Sequence, residues 1–410
     1  MRIKTLEEIP FEMKIEILKR LPVKCLIRFR SVSKAWKALI DSSDFISHYS
    51  TQKTLKQHLI VSEDHLDFDY FVSYADDDTF PQQRVALDNP RLLNWLKDCD
   101  IVGCSHGLLF LYGDYRFGRG GHKSLTTMAV LWNPSIRKTV AVIVSNLRNK
   151  MYETNVGFGV CRETNDAKIV KVAYVGSEIE SETEMDSISC VPWQVEVFAL
   201  STGAWRSPYG NLPRKSVRFD LHHETVDGFI YWLVTDKITI DGEYRSYDLI
   251  ISFDITNEEF KEVYLPDSLA FAAHIDHFTY ISVLRNSLVV LECEKNVNDP
   301  VVVIWKMEGG VFTKLFTVNL NSQDASIIGF RKSGAPIIEF FIEEDDWRQL
   351  VVYEPTSKDV GKFWSHHSSS RVSVYPYMET LLLLDQPDLM VYNDISMWRA
   401  KNKRLLKHSN

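Results

Sequence analysis

A short aliphatic run that ends on an aromatic residue recurs along most of this 410-residue chain. The aromatic residues are separated by 66, 55, 52 and 48 positions, and turn-forming residues follow each of them closely. This pattern is typical of a strand that leads into a hairpin. Repetition of one such unit about every 50 residues predicts a repeat architecture. The five runs are VLWNPSIRK with Trp132, EVFALSTGAW with Phe198, ISFDITNEEF with Phe253, VIWKMEGGVF with Trp305 and VVYEPTSKDV with Tyr353.

A second recurring element, a turn followed by an apolar strand, precedes most of these runs by roughly 20 positions. Each repeat then contributes about four strands, and a four-stranded sheet that is apolar on both faces must stack against neighbours. These are the properties of a propeller blade. The turn elements are HGLLFLY at 106, DGFIYWLV at 227, RNSLVVLEC at 285 and KSGAPIIEF at 332.

The predicted fold is therefore a small all-α module followed by an all-β propeller of about six blades, with seven possible. We expect the last blade to combine HLIVS at 58 with VSVYPYMETLLLLD at 372, since joining the two ends removes exposed edge strands. The alternative is a β-sandwich followed by another domain. A sandwich would give strands without a period near 50 residues.

The first fifty residues show helical spacing. Phe11, Ile15 and Leu18 are separated by three and four positions, and VKCLIRF and VSKAWKALI predict two further short helices. Three short helices of about 40 residues bury too little surface to be stable alone without a metal or disulfides. The module must therefore pack on the downstream domain or on a partner.

The net charge of −8 is divided unevenly along the chain. Residues 1–50 hold ten Lys or Arg and six Asp or Glu, which gives +4, so the other 360 residues carry −12. An acidic body disfavours nucleic acid as a partner. The longest aliphatic runs have the length of a strand, which disfavours a membrane span.

The six cysteines form no CxxC pair, and MRIKTLEEIP has no apolar signal-peptide region. Both features predict a protein of the cytoplasm, the nucleus or both.

Motifs that could carry catalysis are incomplete. GCSHG at 103–107 has the spacing of a nucleophile elbow with Ser105, but a strand-like run follows it where a helix is needed. FGRGGHKSL at 117–125 lacks two glycines of a phosphate loop. We therefore expect no catalytic residue and no cofactor.

We also expect no metal, because no His or Cys cluster has the second half of a zinc site. The clusters considered are Cys99 and Cys104 with His106, and His274 with His277.

Residues 9–45 resemble an F-box, a helical module that docks on the Skp-type adaptor of cullin-RING ubiquitin ligases. Ile9 and Pro10 correspond to its opening Leu-Pro, and its conserved runs match Glu16 to Lys24 and Arg28 to Trp36. Met13 and Lys14 stand where the family has Leu-Leu. The resemblance implies adaptor docking, with some of the apolar residues forming the module's own core. The docking candidates are Ile9, Pro10, Ile17, Leu18, Leu21, Pro22, Leu26, Val32 and Trp36.

The body is similar to the F-box-associated domain of plant F-box proteins, including the S-locus F-box proteins. GCSHGLLFL, LWNPSIRK, VGFGV, VEVFALSTGAWR, DGFIYWL and IISFDITNEEF follow in the family's order, within residues 101–385. This resemblance implies a kelch-like propeller. The expected division is an F-box at 1–48, a linker at 49–57, the propeller at 58–385 and a tail at 386–410.

Together, the resemblances imply a non-catalytic substrate-recognition subunit of an SCF-type ubiquitin ligase. Its expected partners are a Skp-type adaptor, through it a cullin-RING ligase, and a protein substrate that the sequence does not identify. The alternative is a Skp-bound scaffolding protein that delivers no substrate. The acidic runs at 176–187 and 343–346 fit either recognition of a basic partner or solvated loops, and the basic tail has no assigned role.

Overall fold

The computed structural model describes most of the chain, and the statements below concern that part. The described residues are 10–50, 57–65, 68–90, 92–93, 96–117, 124–144, 152–175, 194–208, 210, 212–214, 217–240, 243–271, 277–294, 300–320, 322, 324–342, 347–354, 360–367, 371–387 and 390–392.

The N-terminal helical module (residues 11–50) has one helix more than the three predicted. Its helices are α1 (Phe11–Lys19), α2 (Val23–Phe29), α3 (Lys34–Ile40) and α4 (Ser43–Ser50). Pro10 and Pro22 precede α1 and α2, and the Ser33 hydroxyl caps α3 by accepting the Trp36 N–H at 3.2 Å. The sequence analysis missed α4 because its polar residues mask an apolar side. This helix buries Phe45, Ile46 and Tyr49 and extends past the predicted boundary at 48.

The rest of the described chain is almost entirely β-structure, with one short helix, α5 (Asp267–Ala270). The strands are β1 (Gln57–His65), β2 (Phe68–Ala75), β3 (Arg84–Ala86), β4 (Leu96–Ser105), β5 (Leu108–Phe117), β6 (Ser124–Asn133), β7 (Lys138–Ile143), β8 (Tyr152–Val160), β9 (Ala167–Val175), β10 (Gln194–Ala199), β11 (Ala204–Arg206), β12 (Arg218–Val226), β13 (Phe229–Ile240), β14 (Glu243–Asp254), β15 (Glu259–Tyr264), β16 (His277–Leu284), β17 (Ser287–Glu294), β18 (Val301–Glu308), β19 (Val311–Asn319), β20 (Ser326–Phe330), β21 (Pro336–Ile342), β22 (Trp347–Tyr353), β23 (Val360–His367), β24 (Arg371–Met378) and β25 (Met390–Tyr392).

These strands form six sheets, which are the blades of a propeller. Blade 1 has the order β24-β1-β2-β3, and blades 2 to 6 begin at β4, β8, β12, β16 and β20 and follow the chain. The first strands of successive blades contact one another around a closed ring, from β4 through β24 and back to β4. The prediction of a propeller is confirmed with six blades, which excludes the seventh blade and the sandwich.

The recurring sequence elements occupy equivalent places in the blades. The five aromatic anchors lie on the third strands β6, β10, β14, β18 and β22, and the turn elements lead into the second strands β5, β13, β17 and β21. The equivalent turn of blade 3, at 161–166, was missed because it is longer and contains no glycine.

The two ends of the propeller are joined in blade 1, as predicted. β1 pairs antiparallel with β24, from Gln57 opposite Met378 to Asp64 opposite Arg371. The chain then runs on to β25, which pairs in parallel with β7 at the outer edge of blade 2. β25 lies within the segment expected to be the tail, because a strand of three residues has no recognisable sequence pattern.

The two faces of the propeller differ in their connections. On one face, here called the hairpin face, the first strand of each of blades 2 to 6 turns into the second through links such as 106–107 and 227–228. On the opposite loop face, the second strand connects to the third and each blade to the next. These links include 176–193 and 265–276. The helical module packs on the hairpin face, where Asn165 between β8 and β9 donates to the Ser47 hydroxyl at 2.7 Å.

Candidate functional site

The helical module has two apolar sides with different surroundings. One side, called the buried side, joins a continuous hydrophobic cluster with residues of blades 2 and 3 and of the segment after β24. The other, called the exposed side, faces solvent. The buried side consists of Leu18, Val23, Leu26, Ile40, Phe45, Ile46 and Tyr49, and the exposed side consists of Met13, Ile17, Phe29 and Val32.

The exposed side contains four large apolar residues, two on α1 and two at or after the end of α2. Met13 and Ile17 are one helical turn apart on α1 and are 54% and 49% exposed, while Val32 is 64% exposed. The Phe29 ring lies against Trp36 with centroids 5.9 Å apart. Neighbouring exposed apolar residues such as Met13 and Ile17 are a feature of protein interaction sites.

An ion-paired rim holds the helices next to this side. The Arg30 guanidinium donates two hydrogen bonds to the Asp41 carboxylate, at 2.5 and 2.9 Å, and Lys37 donates to the same carboxylate at 2.9 Å. Burial would raise the pKa of Asp41, but these hydrogen bonds outweigh it and the pKa is lowered. The bonds tie the end of α2 to the end of α3, next to Phe29 and Val32 in the sequence.

The structure separates the predicted docking residues into groups. Ile17 and Val32 lie on the exposed side, Pro10 and Pro22 are exposed beside it, and Leu21 and Trp36 are half-buried. Leu18 and Leu26 are only 2% and 0% exposed and pack on the buried side, so we leave them out of the docking surface. Ile9 lies outside the described residues. Two residues of the exposed side, Met13 and Phe29, were missed, although the spacing of Met13 from Ile17 could have identified the first.

The Ser105 motif does not form a nucleophile elbow. Ser105 ends β4 and the chain turns directly into β5, with His106 and Gly107 at φ values of 50° and 77°. The Ser105 hydroxyl lies 3.0 Å from His106 Nδ1, but Ser105 is only 6% exposed. Burial lowers the pKa of His106, and the nearby Arg162 cation lowers it further. A catalytic histidine is instead oriented by a carboxylate.

Within the described part of the chain, the cysteine and histidine motifs do not assemble a set of metal ligands. Among the residues that the structure describes, no three His, Cys, Asp or Glu side chains are grouped to hold a metal. The Cys104 thiol donates to the Pro376 carbonyl at 3.3 Å, and burial raises its pKa to about 12, whereas metal binding requires a thiolate. His274 and most of the glycine-rich run at 117–125 lie outside the described residues.

Two adjacent residues on the inner strand of blade 4 are strongly perturbed by burial. The His223 ring accepts the Phe158 N–H at 3.1 Å through Nε2, and burial lowers the pKa of His223 to about 3. Burial raises the pKa of the neighbouring Glu224 carboxyl to about 8. The inner strand β12, which contacts β4 of blade 2, therefore carries an imidazole and a carboxyl group that are both uncharged at neutral pH.

The loop face carries exposed aromatic residues near its edge. Tyr70 is 42% exposed and stacks on Trp364 with centroids 6.0 Å apart, which bridges blades 1 and 6. Trp347 at the start of β22 is 43% exposed. The acidic runs at 176–187 and 343–346 connect strands at this face but lie outside the described residues, as does the basic tail after 392. None of the helices that the structure describes is long and apolar enough to cross a bilayer.

Comparison with curated proteins finds plant relatives. An F-box/kelch-repeat protein of Arabidopsis thaliana is 28% identical over 272 residues, which cover 62% of this chain and 65% of the relative, just under two thirds of its length. The F-box protein CPR1 of the same plant is 25% identical over 336 residues, covering 76% of this chain and 73% of CPR1. Among solved structures, TolB from Acinetobacter baumannii has a TM-score of 0.42 at 10% identity, covering 81% of this chain and 70% of TolB.

Family models match both parts of the chain. The F-box domain model matches residues 6–48, and the model of the F-box associated beta propeller domain matches residues 101–375. The second match spans more than half of the chain. The chain therefore belongs to the F-box-associated β-propeller family and carries an F-box at its N-terminus, like the plant F-box proteins to which it is similar.

Proposed function

We propose that this protein is the substrate-recognition subunit of an SCF-type ubiquitin ligase. The observation that carries the proposal is the exposed side of the F-box, where Met13, Ile17, Phe29 and Val32 stay accessible while the buried side is packed on the propeller. The partner of this side is a Skp-type adaptor, and through it a cullin-RING ligase. Burial of large apolar side chains at the centre of such an interface supplies most of its binding energy.

The propeller presents a second surface for the protein substrate. The F-box occupies the hairpin face, so the loop face, with its longer links and the exposed Tyr70 and Trp347, stays accessible when the adaptor is bound. Loops on a rigid scaffold are common binding elements, and exposed aromatic residues are frequent anchors. The position of the substrate surface opposite the adaptor supports simultaneous binding of both partners.

The chain performs no chemistry in this role. Holding the substrate and the charged conjugating enzyme in one assembly raises the effective concentration of the substrate lysine at the thioester. None of the five described cysteines forms a disulfide, which supports action in a reducing compartment, the cytoplasm or the nucleus.

A matched pair of valines tests adaptor docking. Val32 on the F-box and Val311 on blade 5 are both 64% exposed, so replacing either by aspartate costs little folding stability. Val32→Asp should weaken binding of the full-length chain to a purified Skp-type adaptor by about tenfold or more, because it places an unpaired charge in the interface. Val311→Asp should bind like the wild type. Calorimetric titration measures both, and equal affinities would contradict the docking proposal.

The ligase role is separated from the scaffolding role by ubiquitin transfer. A reconstituted complex with a charged conjugating enzyme should modify a protein that is captured on the loop face. Capture of that protein without transfer would favour the scaffold.

A further inference from the structure

The segment that follows β24, here called the strap (residues 379–386), lies between the F-box and blade 2. We infer that the order of the F-box, and with it adaptor docking, depends on the strap being packed on blade 2. This inference rests on the proposed function for its docking part. The strap continues from β24, which pairs with β1 in blade 1 and also bonds to blade 2 through the Tyr375 hydroxyl, which donates to the Ile101 carbonyl at 2.6 Å.

The strap is fixed to blade 2 by buried hydrogen bonds. The Asn133 amide nitrogen donates to the carbonyl oxygens of Thr380 at 3.0 Å and Leu382 at 2.7 Å, and Asn133 is 0% exposed. The Lys138 ammonium donates to the Leu384 carbonyl at 2.8 Å and also to the Gln386 carbonyl. These bonds satisfy the strap's backbone carbonyls, which form no sheet, so its path is determined by blade 2.

Gly107 allows the strap to pass close to the hairpin between β4 and β5. Its φ is +77°, and a Cβ there would lie 2.1 Å from the Met378 carbonyl oxygen and 2.9 Å from Thr380 Cγ2. No other residue type fits such a close backbone approach. The start of the strap is thus positioned by blade 2 immediately after β24 ends.

The other side of the strap completes the F-box. Leu381 to Leu384 are all at most 6% exposed and belong to the same cluster as Leu18 and Leu26. The Glu379 carboxylate accepts the Val23 N–H at 2.9 Å.

That bond occurs at the start of α2, where the preceding Pro22 has no side-chain cap of its own. The cap that α2 lacks locally is therefore supplied from a position 356 residues away. The Ser50 hydroxyl lies 3.2 Å from the Thr380 hydroxyl and adds a polar contact at the end of α4.

These contacts couple the two ends of the chain. The F-box helices are too short to be stable alone, and the strap supplies part of the core on which they pack. When the strap is displaced from blade 2, the F-box loses part of its core and the exposed side loses its support. The apparent affinity for the adaptor then falls in proportion to the fraction of chains whose strap is in place. By linkage, bound adaptor favours the packed strap.

The test compares two leucines that are both 0% exposed: Leu381 in the strap and Leu291 in blade 5, which belongs to a separate cluster. Each is replaced by alanine in the full-length chain. Hydrogen exchange by mass spectrometry follows α1 to α4, and calorimetry gives the affinity for a Skp-type adaptor.

Leu381→Ala should speed exchange of the F-box amides and weaken adaptor binding by about tenfold, which corresponds to about a tenth of the molecules remaining competent. Leu291→Ala should speed exchange in blade 5 and leave both F-box readouts unchanged. Unchanged F-box exchange in Leu381→Ala, or equal changes in the two variants, would overturn the inference.

Glu379 gives a second test in which loss of folding is not a concern, because the side chain is half-buried. Glu379→Ala should speed exchange at the start of α2, and Glu379→Gln, which keeps an acceptor for the Val23 N–H, should restore most of the protection. Equal exchange at the start of α2 in the wild type, Glu379→Ala and Glu379→Gln would contradict the role of the strap in ordering the F-box. A wild-type chain that binds no adaptor refutes the docking function alone, since the exchange readouts decide the coupling without adaptor.

Discussion

The two apolar sides of the F-box have similar compositions but opposite surroundings. Ile17 and Leu18 are neighbours on α1, yet Ile17 is 49% exposed and Leu18 is 2% exposed. Leu18 belongs to a cluster that contains strap and blade residues, whereas Ile17 shares its surface with Met13. The difference shows that one side holds the module on the propeller and the other is accessible from solvent. Hydrophobicity alone does not distinguish these two roles.

The largest expected effect separates the two neighbours directly. Leu18→Ala should lower the free energy of unfolding by about 2–5 kcal/mol, because it leaves a cavity in the shared core. Ile17→Ala should change it by less than about 0.5 kcal/mol, since the side chain is half exposed and its loss creates no cavity. Urea denaturation of the full-length chain measures both. Similar losses in the two variants would break the distinction between the sides.

Much of the architecture was readable from the sequence because the blades repeat. The five aromatic anchors predicted third strands and the four turn elements predicted second strands, which indicated about six blades, with seven possible, once the ends were joined. The anchors nevertheless differ in surroundings: Trp132 is 1% exposed, whereas Trp305 and Tyr353 are only half-buried. The spacing of the repeats predicts where the strands lie. The burial of an anchor residue depends instead on the neighbouring blade that packs against it.

The candidate site was less predictable because it is defined by long-range packing. Helical spacing identified Leu18, Leu26 and Ile17 as apolar but could not assign their sides, since the strap that covers the first two lies more than 350 positions away. The Leu381 to Leu384 run was interpreted as part of the closing strand, although β24 ends at Met378. Its burial on the F-box follows from the paths of both chain ends, which local patterns do not contain.

Measuring stability over a range of pH tests whether the buried side of the F-box unfolds together with the propeller. Glu224 on β12 has its pKa raised by burial from 4.5 to about 8. Its folded pKa is above its unfolded pKa, so its contribution to stability is fully present below pH 4.5 and is lost as pH rises through 8. We expect alkaline conditions to cost roughly 1–3 kcal/mol through this carboxyl.

The buried side should respond to the same pH change, because it shares its core with blades 2 and 3 beside β12. Protection of the α1 to α4 amides, measured against the base-catalysed exchange rate of an unstructured peptide at each pH, should therefore fall together with that of the blades between pH 6 and pH 9. Glu224→Gln should reduce this loss of protection at alkaline pH. Glu259→Gln, an exposed control on β15, should leave the loss unchanged. An F-box that loosens without the propeller would show that the buried side is a separate unit.

His223 has the opposite dependence. Burial lowers its pKa from 6.5 to about 3, so its contribution is present above pH 6.5 and is lost as pH falls toward 3. For these two residues taken together, the most favourable range lies between pH 4.5 and pH 6.5. The loss of stability at acid pH should remain in Glu224→Gln. Melting curves of this variant over the whole pH range therefore distinguish the contribution of His223 from that of Glu224.

The smallest expected effect concerns a single hydroxyl that joins the two sides. Tyr49 is 0% exposed on α4, and its hydroxyl donates to the Leu21 carbonyl at 2.9 Å, just after α1 ends. Burial raises the pKa of this phenol, so it stays a donor throughout the working pH range. Tyr49→Phe keeps the ring in the buried side and should cost about 1 kcal/mol of folding stability, because the Leu21 carbonyl loses its partner.

Adaptor affinity should fall by no more than about twofold in Tyr49→Phe, since Leu21 is only half-buried beside the exposed side and the carbonyl can turn to water. Tyr70→Phe on the loop face, where the side chain is 42% exposed, is the control and should leave both quantities unchanged. A large loss of affinity with no loss of stability would mean that the Leu21 backbone belongs to the docking surface itself. The division between the two sides would then run through the end of α1 and not along it.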